Sequence, residues 1–142
     1  MQRKISLMQC AAALLACAAG AASAGDLKVV VRNVQGSEGT VRVGLFNNAG
    51  EFPKGPLFRG QEQAAAPGEV VVMFKDLPAG DYAIIAYQDR NGNGDLDKNV
   101  IGIPVEPLGF SRGAWITSGP PAFGEAKFSF DGASQTQAVG LR

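Results

Sequence analysis

The chain has 142 residues, with 13 basic and 13 acidic side chains, 19 glycines, 8 prolines, two cysteines and no histidine. Without histidine, zinc, copper and haem sites lose a usual ligand, and a Ser–His or Cys–His nucleophilic system cannot be built. Balanced charge and the lack of any basic cluster exclude nucleic acid as a partner.

In chain order, the first feature is a charged start, Arg3 and Lys4, followed by an apolar stretch from Ile5 to Ala19 and the small-residue triplet Ala22-Ser23-Ala24. This order predicts a secretory signal peptide over residues 1–24, with an apolar run too short to span a membrane. A single domain over 25–142, periplasmic or secreted, is the expected product. The alternative is Leu14-Leu15-Ala16-Cys17, which resembles a lipobox and would anchor the protein as a lipoprotein at Cys17. Cys10 and Cys17 both fall in the leader, so disulfides are not expected to staple the domain.

The remaining chain reads as short strands punctuated by Gly, Pro, Asn and Asp. Asp26 to Val34 alternates and is valine-rich, and Thr40 to Phe46 places Val41, Val43 and Leu45 on one face. Asn47 to about Pro67 reads as irregular, because Pro53, Gly55, Pro56 and Gly60 interrupt it. Glu69 to Phe74 predicts a third strand, and Asp76 to Gly80 a tight turn. Asp81 to Gln88 is apolar on both faces, as a central strand requires. Ala126 to Phe130 and Thr136 to Leu141 predict a hairpin through Asp131-Gly132-Ala133-Ser134.

No helical periodicity interrupts this pattern, so the expected fold is all-β, an antiparallel Ig-like β-sandwich of about seven strands. The lack of helical crossovers argues against parallel pairing. Alternation places Val29, Val31, Val43, Leu45, Val71, Met73, Ile85 and Phe128 between the sheets.

The central strand runs into Asp89-Arg90-Asn91-Gly92-Asn93-Gly94-Asp95-Leu96-Asp97. Oxygen-bearing side chains at alternate positions, with glycine sixth, form a spacing that can aim several oxygens at one hard cation, so calcium is the expected cofactor. Asp89, Asn91 and Asn93 would offer side chains, Asp95 its carbonyl, and Asp97 a direct or water-mediated contact. The twelfth position, where an EF-hand has a bidentate glutamate, is Val100, leaving Glu106 or a nearby carbonyl to complete the shell. Such a site would be weak, on the order of 10⁻⁴ to 10⁻³ M. The competing reading is an Asx-rich turn that binds nothing, since these residues tolerate positive φ and bond their own backbone.

Phe74-Lys75-Asp76-Leu77-Pro78-Ala79-Gly80-Asp81-Tyr82-Ala83-Ile84 resembles the turn-and-strand signature of transthyretin-like and carboxypeptidase-regulatory-like sandwiches. With the Asp89 loop and Ile101-Gly102-Ile103-Pro104-Val105-Glu106-Pro107-Leu108-Gly109-Phe110-Ser111 behind it, the order is similar to an exported bacterial family, domain-of-unknown-function family 2141. The resemblance runs from Leu27 to Leu141. It implies one secreted or periplasmic Ig-like domain and assigns no activity.

The expected role is therefore a non-enzymatic binding or envelope-accessory module, monomeric, with a protein or glycan partner and no transmembrane segment. Glu106 and Ser111 are candidate ligand contacts, against the simpler reading that their loop packs over one end of the sandwich. Trp115 is a candidate sugar platform or a packing residue, and Tyr82 a tyrosine corner. A carbohydrate-active enzyme built on the carboxylates of Asp97 and Glu106 is the alternative class, and a purely structural domain the third.

Overall fold

The computed structural model describes residues 24–142; the expected signal peptide up to Ser23 and the Cys17 lipobox lie outside them. Eight strands form two sheets. They are β1 (Ala24–Val34), β2 (Thr40–Phe46), β3 (Arg59–Ala64), β4 (Gly68–Pro78), β5 (Gly80–Asp89), β6 (Leu108–Phe110), β7 (Phe128–Phe130) and β8 (Gln135–Gly140). One sheet has the order β4-β1-β8; the other runs β3-β2-β5-β6, with β7 also on β5. Among the described residues one short α-helix, Phe123–Ala126, precedes β7, and a 3-10 turn, Ser111–Gly113, follows β6.

The expected β-sandwich is what forms. Its core lies between the sheets: Leu27, Val29 and Val31 from β1 and Val70, Val72 and Phe74 from β4 meet Val41, Val43 and Leu45 from β2 and Tyr82, Ile84 and Ala86 from β5. Period-two alternation produces each of these sets. The Tyr82 hydroxyl donates to the Pro78 carbonyl at 2.6 Å, the expected tyrosine corner.

Three of the expected core positions fall elsewhere. Val71 is 42% exposed, Met73 is half-buried, and Ile85 faces outward from the larger sheet. In β4 the run Val70-Val71-Val72-Met73-Phe74 is apolar at every position, so alternation cannot tell its faces apart. The pairing of Val30 with Val71 settles the matter by placing both on the outer face.

Other expectations are corrected by strand pairing. Arg59–Ala64 is a strand, an edge partner of β2, although it carries no large apolar residue. An edge strand exposed on both faces carries no apolar alternation to read. The segment from Asp76 is not yet the turn: β4 passes through a bulge, with a register shift between Gly25 and Leu27 of β1, and continues to Pro78. Asp26 braces that bulge by accepting from Lys75 Nζ at 3.0 Å and from the Asp76 N–H at 3.2 Å. Nor do β7 and β8 form a hairpin. Phe128 and Phe130 turn their rings toward Tyr82, and β7 pairs with the first residues of β5. β8 crosses to the other sheet and pairs parallel to β1, Leu27 with Gln135 through Arg32 with Gly140. The connection from β1 to β8 is the rest of the chain, so no helical crossover is needed.

Candidate functional site

The outward face of the larger sheet carries a second apolar cluster, Phe46, Phe52, Ala83, Leu108, Phe110 and Ala126, against which Ile85, Tyr87 and Trp115 pack. This is why β5 is apolar on both sides. β5 then delivers the Asp89 loop to the rim of the same face.

Asp89 is fully buried. Its Oδ2 accepts from Arg42 Nε at 2.8 Å and from the Gly94 N–H at 2.9 Å. Its Oδ1 has no hydrogen-bond partner. Burial pushes this carboxyl up, but the Arg42 guanidinium and the N–H groups of Gly94 and Gly92 outweigh it and hold the group below the usual carboxylate range. Arg42 sits on β2 opposite Tyr87 and also pairs with Glu62 on β3, so the loop's first carboxylate is locked to the sheet. Gly94 has φ of +83°, the left-handed conformation that lets its N–H turn back to Asp89.

The rest of the loop is bonded to itself. Asn91 Oδ1 accepts from the Asn93 N–H at 3.2 Å, and Asn93 Oδ1 accepts from the Asp95 N–H at 3.0 Å. The amide nitrogens of Asn91 and Asn93 both donate to the Asp97 carboxylate, that of Asn93 at 2.6 Å. Glu106, also buried, clamps both ends: Oε1 accepts from the Arg90 N–H at 3.0 Å and Oε2 from the Asp97 N–H at 3.1 Å. Val100, at the twelfth position, is wholly exposed. The structure thus brings Asp89, Asn91, Asn93, Asp95, Asp97 and Glu106 into one hydrogen-bonded unit. Among the described residues no three His, Cys, Asp or Glu side chains are grouped as a metal cluster, so a bound cation would rely on amide and peptide oxygens as well.

Past the loop, Asn99 Oδ1 accepts from the N–H groups of Ile101 and Ile103 at 3.1 and 3.0 Å, folding residues 98–104 back on themselves. Between this segment, the 53–57 segment and the 115–120 segment lies a groove of about 1170 Å³. Its floor is the outward face of the sheet, including Phe46, Ile85, Leu108 and Phe110, and Asp95 and Asp97 stand in one wall.

Ser111, considered as a ligand contact, is instead buried and structural. Its hydroxyl accepts from the Ile84 N–H at 2.9 Å and donates to the Ala126 carbonyl at 2.6 Å. Trp115 packs edge-on to Phe110 at 6.3 Å, with the Arg142 guanidinium 4.7 Å above its ring. Two residues escape sequence reasoning. Arg42 is one polar position in an alternating strand, and only the β2–β5 pairing reveals its partner. Gln88 is buried and bonds Gln35 and Glu38, closing the end of the sandwich under the β1–β2 turn.

A family model described as "Uncharacterized protein conserved in bacteria (DUF2141)" matches residues 29–138, and the chain belongs to that family. The match contains the three stretches on which the resemblance was drawn. No curated protein matches the chain, and no solved structure does either. No helix among the described residues is long and apolar enough to cross a membrane.

Proposed function

We propose that this protein is a non-enzymatic, exported binding module whose Asp89–Asp97 loop takes up calcium. The observation that carries the reading is Asp89 Oδ1, a buried oxygen of a carboxylate held ionised, with no hydrogen bond to satisfy it. An unsatisfied charged oxygen is costly to bury, and a divalent cation relieves that cost. Asp89, Asp97, the two asparagine amides and the Asp95 carbonyl would hold the ion, all hard oxygen donors suited to calcium. Glu106 serves better as the clamp that spaces the loop's ends, since both its oxygens already accept backbone N–H groups. That commitment also speaks against a hydrolytic pair of Asp97 and Glu106, because neither is left free to move a proton. An extracytoplasmic setting, expected from residues 1–24, supplies the millimolar calcium that a weak site needs.

Differential scanning calorimetry in calcium and in chelator tests the reading. With a dissociation constant near 1 mM, 10 mM calcium adds about 1.4 kcal/mol, or roughly 4–6 °C in Tm. Asp97→Ala should remove the increment. It is a better probe than Asp89→Ala, which would also break the Arg42 pair. Identical melting in calcium and in chelator would leave the loop a self-bonded Asx turn.

A further inference from the structure

The groove over the outward face of the larger sheet has a mixed character that the calcium reading does not use. Its floor is hydrocarbon and aromatic, and the one floor hydroxyl, on Tyr87, is spent on the Gly94 carbonyl at 3.0 Å. Such a floor has nothing to offer the many hydroxyls of a sugar, and it covers a sheet face, so it presents no ladder to an extended peptide. The polar residues of the groove are unequal. Two of its acids are committed, Glu106 to two backbone N–H groups and Asp97 to both asparagine amides, while the third, Asp95, is exposed at the rim. Its cations are uncommitted. Lys54, Lys98 and Arg142 reach the groove from three separate segments, and among the described residues none of them forms an ion pair with a carboxylate. Arg142 lies instead over Trp115, a face that also lines the groove.

An apolar trough with unpaired cations around it is complementary to a molecule with an apolar body and one anionic end. The volume is ample for such a guest, since pockets of about 300–1,000 Å³ hold drug-sized ligands. We propose that the groove binds a medium- or long-chain fatty-acid anion, with the alkyl chain along Leu57, Ile85 and Ile103 and the carboxylate at Lys54, Lys98 or Arg142. Transfer of the methylenes from water drives binding, while the cations select the charge at the end of the chain. The inference is independent of calcium.

Trp115 is the only tryptophan of the chain and lines the groove, so its emission reports occupancy directly. The experiment titrates purified protein, in chelator, with dodecanoate, dodecanol and dodecyltrimethylammonium, each below its micellar concentration. Expected is a saturable blue shift with dodecanoate, at least tenfold weaker binding of the alcohol, and no saturable response to the cation. The Lys54→Gln/Lys98→Gln double variant should lose at least tenfold in dodecanoate affinity and keep its affinity for dodecanol. Both lysines are exposed, so the variant should fold, and unchanged circular dichroism would show that it does. Equal binding of all three probes would reduce the groove to a non-selective apolar patch and overturn the proposal. So would the absence of saturable binding by fluorescence and by titration calorimetry. Because calcium is absent throughout, neither result bears on the calcium loop.

Discussion

Replacing Arg42 with methionine tests the link between sheet and loop most directly. Methionine keeps an unbranched apolar stem on β2 and removes the guanidinium. Asp89 then remains fully buried, with only the backbone N–H groups of Gly94 and Gly92 to hold its charge. Breaking a buried pair in this way costs about 3–5 kcal/mol when nothing replaces the lost charge. The Arg42 side chain is 30% exposed and the Gly94 and Gly92 N–H groups stay, which lowers the expected loss to about 2–3 kcal/mol at neutral pH. Its Glu62 contact is solvent-exposed and adds little. The pH dependence distinguishes this cause from a packing defect. In the wild type the folded pKa of Asp89 lies below the ordinary 3.8, so its contribution is complete above that value and fades only as pH falls through the lower one. In the variant, burial acts with its main opponent gone and raises the folded pKa. Variant stability then declines as pH rises through the window between 3.8 and the raised value. Urea unfolding followed by Trp115 fluorescence should therefore show a deficit that is small near pH 4.5 and full at pH 7. A deficit under about 0.5 kcal/mol, ordinary for a surface change, or one equal at both pH values, would refute the reasoning.

The remaining predictions concern the layers on either side of that loop. Ile84→Ala, in the core between the sheets, should cost about 2–5 kcal/mol by chemical denaturation, whereas Val71→Ala, on the outer face, should stay within about 0.5 kcal/mol; the reverse order would mean that the faces of β4 and β5 are exchanged. Gly109→Ala should lower stability by about 1–3 kcal/mol, because an added Cβ would fall on the Gly140 carbonyl oxygen where the sheets meet; an unchanged Tm would show that the contact can open freely. Millimolar calcium should raise the Tm of the wild type but not of Asp97→Ala, as scanning calorimetry would show.

Much of this architecture is legible from local pattern, and the failures have a common cause. Val41, Val43 and Leu45 are found between the sheets because Arg42 and Gly44 separate them and betray the face. Val70 to Phe74 offer no such contrast, and β3 has no apolar residue pair to alternate. Which strands become neighbours depends on contacts between distant residues, and so β7 and β8 are each recognisable as strands while their partners are not. The same division holds at the loop. Alternating oxygens and Gly94 are visible as a motif, but the Arg42 ion pair, the Glu106 clamp and the groove all arise from segments far apart in the chain.

The parallel pairing of β1 with β8 also sets an order of events. β1 is the middle strand of its sheet, yet one of its two ladders is filled by the last strand of the domain. A chain emerging from its N-terminus can form the β2–β5 pairing and even dock β4 while one edge of β1 still lacks a mate. The slow closure of so long a loop falls in the millisecond-to-second regime of non-local β topologies. Throughout that interval a valine-rich strand offers unpaired peptide groups to any neighbouring chain. Lys28 and Arg32, exposed on this strand beside its buried valines, place charges where an illegitimate β partner would have to stack. Late completion thus leaves the nascent molecule vulnerable at its own centre, and these two cations guard it until β8 arrives.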